Sequence, residues 1–302
     1  MSKKRIIIPE PEEGLKFIDV HCHLPFPRPK KNDKLPSDEE QYSNYFKDGG
    51  IFLITSSIDM NTLKMILDFL KDKDKIGFSC GWAPQTVTYT PKTKYDQEWK
   101  EWINFIKENP ERYLAIGEIG LDFHHARTLD KRNKQVEVFK KIIEITEDLQ
   151  KPYILHVRNA AEHEYDRYNP KHRFNKRDGV NQEILKILKI YNIDPKRVMW
   201  HCFSGPEQYG MNLSKQGFIL SVPSSAYGNN RWRKVTRNAS LDSLVTETDS
   251  YYQHPFLRGP VNVPSNAKYA VAAIAYSHNV SQDLVSKKTI ENAIRFFNLE
   301  IE

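Results

Sequence analysis

The sequence predicts an α/β protein of the (β/α)8 barrel class, and three observations lead to that prediction. The chain has 302 residues, a length that barrels of this class span as a single unit. Eight short apolar runs alternate with segments of helical periodicity, as in repeated units of parallel strands joined by helices. An open doubly wound sheet shows much the same alternation, but the Gly-x-Gly-x-x-Gly turn that would favour it is absent: the first run continues as His21-Cys-His-Leu-Pro25. We therefore expect one domain over residues 1–302, with its core at about 17–298.

The candidate strands are short apolar runs bounded by polar segments. In chain order they are residues 17–21, 51–56, 76–82, 113–121, 152–157, 198–201, 218–222 and 244–248. Parallel neighbours need a long crossover connection between them, which is usually a helix. The spacing of the runs leaves room for such crossovers.

Helical periodicity is clearest in four segments. Residues 61–71, 130–149, 182–191 and 281–298 each carry apolar side chains along one side, as expected of helices that cover a sheet. Two further segments, 25–40 and 160–179, are polar and follow the first and fifth strands. We interpret them as insertions in loops at the carboxyl ends of the strands, where barrels of this class bind substrates.

Charge and cysteine content limit the class of partner and the compartment. The formal net charge of +6 fits a nucleic-acid or phosphorylated substrate without requiring one. No apolar run approaches the ~20 residues of a membrane helix, and the N-terminus lacks the apolar core of a secretory signal, so we expect no membrane partner. The three cysteines are widely spaced and form no Cys-x-x-Cys pair, which indicates a reducing, cytoplasmic location.

The first indication of chemistry is a His-x-His pair at the end of the first strand. Because side chains alternate along a strand, His21 and His23 share one face and Cys22 takes the other. Two imidazoles on one face form half of a metal site, although two unrelated strand-end histidines would produce the same pattern.

Four later strands also carry an acid or a histidine at or near the end: Glu118, His156, His201 and Asp249. A buried carboxylate or imidazole is unfavourable unless it is paired or bound to a metal. In a barrel these strand ends meet at one pocket. Four histidines and two carboxylates suit two divalent ions that share a bridging carboxylate, and the donors fit zinc, manganese or magnesium alike.

Five motifs follow one another along the chain. They are Phe17-Ile-Asp-Val-His-Cys-His-Leu24, Ile116-Gly-Glu-Ile-Gly-Leu-Asp-Phe123, Lys151-Pro-Tyr-Ile-Leu-His-Val-Arg-Asn-Ala160, His201-Cys-Phe-Ser-Gly205 and Glu247-Thr-Asp-Ser250. In this order they resemble the motifs of the TatD-type metal-dependent hydrolases, within the amidohydrolase superfamily. The resemblance covers essentially the whole chain. It implies a (β/α)8 barrel with two divalent metals that hydrolyses phosphodiesters, often as a deoxyribonuclease that acts from the 3′ end.

The resemblance also implies a role for each ligand residue. It assigns one ion to His21, His23 and Asp249. It assigns the second ion to His156 and His201, with Glu118 as the bridge between the two ions. Asp249 would in addition orient or deprotonate the attacking water, a general-base role that a strand-end carboxylate can fill.

Two positions depart from the family pattern. Family members read Gly-x-His-Pro after the third strand, whereas this chain has Ala83 in place of the histidine that would contact substrate phosphate. The family's Glu-Thr-Asp-Ser-Pro-Tyr has Tyr251 in place of proline. Both changes leave the ligand residues intact, but the first leaves the substrate class open. His124 and His125 either replace the missing imidazole or face solvent, and Asp122 either orients a ligand or caps the following turn.

Basic residues after two of the strands are candidate substrate contacts. Arg158 lies two residues beyond His156 on the same face, where its guanidinium could hold a phosphate oxygen or form an ordinary salt bridge. Arg231, Arg233 and Lys234 belong to a run without acids that follows the seventh strand. Basic residues interleaved with aromatics suit single-stranded nucleic acid, but a solvated helix face has the same composition.

Three functions are compatible with these observations. The first is a two-metal hydrolase that cleaves phosphodiesters at DNA ends. The second keeps the metals and changes the bond to an ester or amide, such as an aminoacyl-tRNA ester, because Ala83 and the enlarged loop after the fifth strand leave the substrate open. The third is a nucleic-acid-binding protein without turnover, which would have no need for a bridging carboxylate.

Overall fold

The computed structural model describes residues 8–25, 35–160, 179–203, 205–256, 259 and 261–301. Eight strands lie in this part of the chain: β1 (Phe17–Cys22), β2 (Gly50–Ser56), β3 (Ile76–Cys80), β4 (Ala115–Asp122), β5 (Tyr153–Arg158), β6 (Val198–Trp200), β7 (Ile219–Pro223) and β8 (Leu244–Glu247). The α-helices of the same part are α1 (Asp38–Lys47), α2 (Met60–Phe69), α3 (Pro84–Tyr89), α4 (Lys92–Glu108), α5 (Leu129–Thr146), α6 (Val180–Ile190), α7 (Glu207–Lys215), α8 (Asn230–Arg237), α9 (Ala267–His278) and α10 (Gln282–Phe297).

The strands follow one another in the sheet in the same order as in the sequence, from β1 to β8. The pairs β1–β2, β3–β4, β4–β5, β5–β6 and β7–β8 are all parallel. β1 also lies beside β8, because the Thr246 hydroxyl donates to the Ile18 carbonyl at 2.6 Å and the Asp249 amide to the His21 carbonyl at 2.9 Å. Parallel strands in sequential order with intervening helices define the (β/α)8 class, so the predicted fold class is confirmed.

Contacts along the chain separate it into two compact units. One unit consists of Met1–Thr55 with Cys202–Glu302, and the other of Ser56–His201. The first, which we call the terminal unit, holds β1, β7, β8 and nearly all of β2. The second, the central unit, holds β3 to β6. The expectation of a single domain stays a prediction.

Strand β4 of the central unit is buried along its whole length, with all eight residues buried. Two glycines let it approach β5 closely. A Cβ atom at Gly117 would lie 2.5 Å from Ile154 Cβ, and a Cβ atom at Gly120 would lie 2.3 Å from the carbonyl oxygen of His156. Gly120 also has φ +136°, which other residues rarely adopt. These glycines bring the polar residues of β4 next to those of β5.

Each predicted strand is present, with its ends within two residues of the expected positions. The four predicted helices correspond to α2, α5, α6 and α10. Helices such as α4 and α9 were not predicted, because their patterns are atypical: α4 buries only Tyr95, Trp102 and Ile106 of its 17 residues, and α9 is buried along most of its length. None of the described helices is both long enough and apolar enough to cross a bilayer.

The two predicted insertions lie largely outside the described residues, which omit 26–34 and 161–178. Where the first one is described, the structure shortens it. Residues 38–40 form the first turn of α1, which begins after Ser37. The Ser37 hydroxyl accepts from the Glu40 amide at 3.2 Å, and the Glu40 carboxylate accepts from the Ser37 amide at 2.7 Å. These two bonds form a capping box, so residues that the sequence predicts as loop begin a helix.

Candidate functional site

Strands β4, β5 and β6 of the central unit bring one carboxylate and two imidazoles together. Glu118 lies within β4, His156 within β5, and His201 directly follows β6. Glu118 Oε1 is in contact with His156 Nδ1. His201 Nε2 lies 3.8 Å from the same Oε1 and 3.4 Å from His156 Nδ1. Glu118 and His201 are only 4% and 6% exposed, so the group is shielded from solvent.

The charges around His156 favour its protonated form in the absence of a metal. Burial lowers the pKa of His156, but the neighbouring Glu118 and Asp122 carboxylates outweigh it and raise the pKa to about 10. Burial raises the pKa of Asp122, but hydrogen bonds and charge from His156, together with bonds from His125, hold it below its ordinary range. The group therefore pairs a cationic ring with two carboxylates.

The donor atoms of this group fit a divalent ion. The ligand atoms of Glu118, His156 and His201 all lie within 4.8 Å of one another. Two imidazole nitrogens and a carboxylate oxygen suit zinc or manganese, and a proton on His156 is the positive charge that such an ion would displace. The chemistry of the site is thus that of a metal-binding site.

The terminal unit contains a second group, formed where β1 and β8 end. His21 Nε2 and His23 Nε2 lie 3.9 Å and 3.6 Å from Asp249 Oδ1. The two rings are 5.0 Å apart, so the alternation along β1 places both imidazoles on one face, beside a single carboxylate. Asp249 has φ +51°, a conformation that aspartate tolerates better than most residues, and its amide is held by the His21 carbonyl.

Two further buried acids lie in the strands that carry this second group, Asp19 in β1 and Glu247 in β8, and the sequence analysis did not identify them. Asp19 accepts hydrogen bonds from the hydroxyl of Thr248 at 2.5 Å and from its amide at 3.0 Å. Glu247 accepts from the Ser221 hydroxyl at 2.6 Å. Burial raises the pKa of Asp19 well above its ordinary value, and it raises the pKa of Glu247 to about 8. Acids inside otherwise apolar strands were the signal that could have identified both.

The predicted substrate contacts occupy different environments. Arg158, at the end of β5, is exposed. On α8, Arg231 and Lys234 are also exposed. Arg233 corrects the prediction: it is 5% exposed, and its guanidinium donates to the carbonyls of Ala226 and Tyr227 at 2.7 Å and 2.8 Å. A side chain held in this way anchors α8 and is not available to neutralise a phosphate. The polar segment after β5 also interleaves basic residues with Tyr165, Tyr168 and Phe174, and these three lie outside the described residues.

Ala83, one of the two positions that depart from the family pattern, lies directly before a helix. Ala83 is 1% exposed and precedes Pro84, the first residue of α3. Two residues further on, the Gln85 amide donates to Asp122 Oδ2 at 3.0 Å. His125 does not simply face solvent, because its Nδ1 lies 2.7 Å from the same oxygen. Sequence inspection missed Gln85, since a lone glutamine carries no pattern.

Comparison with known proteins adds independent information. The profile of the family described as "TatD related DNase" matches residues 18–298. An uncharacterized metal-dependent hydrolase of Methanocaldococcus jannaschii is 27% identical over 284 residues, which cover 94% of this chain and 97% of that protein. The Danio rerio protein tatdn3, whose name suggests a deoxyribonuclease, is 26% identical over 290 residues, which cover 93% of this chain and 97% of that protein.

A solved structure supports the fold. The TatD homologue YjjV of Escherichia coli aligns with a TM-score of 0.75 at 21% sequence identity, over 95% of this chain and all of that one. At this identity the likeness speaks for the architecture alone.

Proposed function

The chain belongs to the TatD-related DNase family of metal-dependent hydrolases, and on that premise we propose that it is a two-metal deoxyribonuclease that removes nucleotides from the 3′ ends of DNA. One observation carries the proposal. Each of the two units contains a largely buried group in which two imidazoles meet a carboxylate. A binding protein without turnover has no need for either group.

In this proposal each group holds one divalent ion. Glu118, His156 and His201 hold one ion, and His21, His23 and Asp249 hold the other. The family resemblance assigns Glu118 to both ions as a bridge. When bound, the ions polarise the scissile phosphodiester and lower the pKa of water, which is the chemistry that side chains alone supply poorly at neutral pH.

The residues of the chain supply orientation and proton transfer. Asp249 accepts a proton from the attacking water, since its carboxylate is part of the group and is 13% exposed at the side chain, open to a small molecule. Arg231, Lys234 and Arg158 are exposed and could neutralise phosphates of the single strand. Arg233 belongs to the scaffold. The three cysteines, without paired spacing, support a reducing, cytoplasmic compartment.

One observation supports a second substrate class. Ala83 presents no imidazole to a substrate phosphate, and it is buried. The same residues would then act on an ester that lacks a scissile phosphate, such as an aminoacyl-tRNA ester.

The test uses a single-stranded oligonucleotide labelled at its 5′ end, incubated with metal-free protein and added Mn²⁺. A 3′ exonuclease produces a ladder that shortens one nucleotide at a time. Glu118→Gln should abolish the ladder, whereas Glu101→Gln on the exposed side of α4 should leave it unchanged. If the oligonucleotide stays intact and an aminoacyl-tRNA is hydrolysed, the substrate is the ester and not DNA. Inertness towards both substrates with Mn²⁺, Zn²⁺ and Mg²⁺ would refute it.

A further inference from the structure

One carboxylate in the central unit receives more hydrogen bonds than a turn requires. Asp122, the last residue of β4, is fully buried. Its Oδ2 lies 2.7 Å from His125 Nδ1, 3.0 Å from Gln85 Nε2 and 3.1 Å from His156 Nε2. Its Oδ1 accepts from the His125 amide at 3.0 Å, and its own amide donates to Gln135 Oε1 at 2.8 Å. Asp122 is therefore held from both its backbone and its carboxylate.

The two ring nitrogens of His156 face different partners. Nδ1 points towards Glu118 and His201, and Nε2 points towards Asp122. A neutral imidazole has one nitrogen with a proton and one with a lone pair. An ionised carboxylate only accepts hydrogen bonds, so Asp122 favours the proton on Nε2 and leaves the lone pair of Nδ1 for an ion.

We propose that Asp122 is a positioning residue that fixes the ring and the tautomer of His156 for metal binding, and that Gln85 is part of the same arrangement. The inference rests on the proposed function, because it requires that His156 binds an ion through Nδ1. Metal-binding histidines are commonly oriented in this way by a carboxylate on the opposite nitrogen.

Gln85 acts on Asp122 rather than on the ring. Its amide nitrogen lies 3.2 Å from His156 Nε2 but 3.0 Å from Asp122 Oδ2. If Nε2 carries a proton, the amide cannot donate to it, and the carboxylate is the remaining acceptor. Gln85 thus keeps Oδ2 aimed at the imidazole. It lies in the first turn of α3, two residues after the position where Ala83 replaces the family histidine.

A purely structural role for Asp122 makes a different prediction. The bond from the His125 amide to Oδ1 closes the turn after β4, and a residue that did only this would affect stability alone. Asp122→Asn separates the two roles. An asparagine that keeps its oxygen on the His125 amide presents an NH₂ group to Nε2, which drives the ring proton to Nδ1 and removes the metal ligand.

The experiment measures Zn²⁺ binding by calorimetry and the protonation of the rings by NMR of the full chain labelled with ¹⁵N-histidine. Wild-type protein loaded with Zn²⁺ should show His156 with its proton on Nε2. Asp122→Asn should lose this signal and weaken Zn²⁺ binding by about 10- to 100-fold, the usual effect of removing such a partner. Gln85→Met, which leaves the carboxylate in place, should weaken binding by about tenfold, at the low end of that range.

Asp59→Asn is the matched control. Asp59 caps α2 in the same unit and accepts from the Thr62 amide at 2.8 Å, a bond that the asparagine oxygen also accepts, so Zn²⁺ affinity should stay unchanged. Unchanged affinity and an unchanged His156 signal in both Asp122→Asn and Gln85→Met would overturn this inference and leave the proposed function standing. A wild-type chain that binds none of Zn²⁺, Mn²⁺ and Mg²⁺ would overturn both.

Discussion

Lowering the pH from about 8 to about 7 should weaken metal binding by the Glu118–His156–His201 group about tenfold. The reason lies in the charge of His156, whose pKa is raised to about 10 because Glu118 and Asp122 outweigh the effect of burial. Below that pKa the ring is protonated, and an ion that binds Nδ1 must displace one proton. Each pH unit then changes the affinity by a factor of ten, or about 1.4 kcal/mol.

The size of this effect distinguishes His156 from an ordinary histidine. A ring with an unperturbed pKa of about 6.5 is already mostly neutral at pH 7, so its metal affinity would change only about 1.3-fold over the same interval. The same shift acts on the metal-free fold. Its stabilising contribution is complete below about pH 6.5 and is lost as the pH rises through about 10.

The assay is calorimetric titration with Mn²⁺ of a variant in which His21 and His23 are alanine, so that one group remains. Titrations in two buffers of different ionisation enthalpy count the protons released, and we expect about one per ion. His156→Gln in the same background should bind more weakly and lose the pH dependence between pH 7 and 8. An affinity for Mn²⁺ that is independent of pH, with no proton release, would show that the ion displaces no proton from His156.

Three further predictions address the residues around the two groups. Burial raises the pKa of Glu247 to about 8, so metal-free protein should lose stability as the pH rises from about 4.5 to about 8, and Glu247→Gln should make this loss smaller. Urea unfolding at both ends of the interval measures the loss, and an equal loss in wild type and variant would contradict the prediction. Replacing Arg231 and Lys234 with serine should flatten the salt dependence of single-strand affinity by about 1.4 in the log–log slope, whereas Arg233→Ser should lower Tm and leave the slope unchanged. A flatter slope in Arg233→Ser, with no change in the double variant, would show that Arg233 contacts the substrate. Gly120→Ala should destabilise the protein by more than about 1 kcal/mol in urea unfolding, since φ is +136° and the new Cβ would lie 2.3 Å from a carbonyl oxygen of β5; wild-type stability would contradict the described approach of β4 to β5.

The strand positions were predictable because a short apolar run between polar segments is typical of a buried strand. The placement of His21 and His23 on one face was also predictable, since it follows from alternation along β1. Helices α4 and α9 were not, because one has a sparse apolar stripe and the other is buried nearly throughout. Which residues of α4 and α9 are buried depends on the elements packed against them, and the local sequence does not show those elements.

The polar neighbours of the ligand residues show a second limit of sequence reasoning. Exposure depends on the tertiary structure, so the same run of basic residues contains an exposed Arg231 and a buried Arg233. Gln85 lies 37 positions from Asp122 and 71 from His156, and no local pattern connects the three. Asp122 makes the contacts that both alternatives require, because one oxygen closes the turn and the other faces the imidazole.

In the proposed function, hydrolysis requires two divalent ions, one held by each of the two groups. The most direct measurement titrates Mn²⁺ into metal-free protein and follows bound metal and nucleotide release from single-stranded DNA in the same samples. We expect two bound ions per chain, with turnover that appears only as the second ion binds. Maximal turnover at one bound ion per chain, or nucleotide release that persists with a chelator in excess, would contradict it.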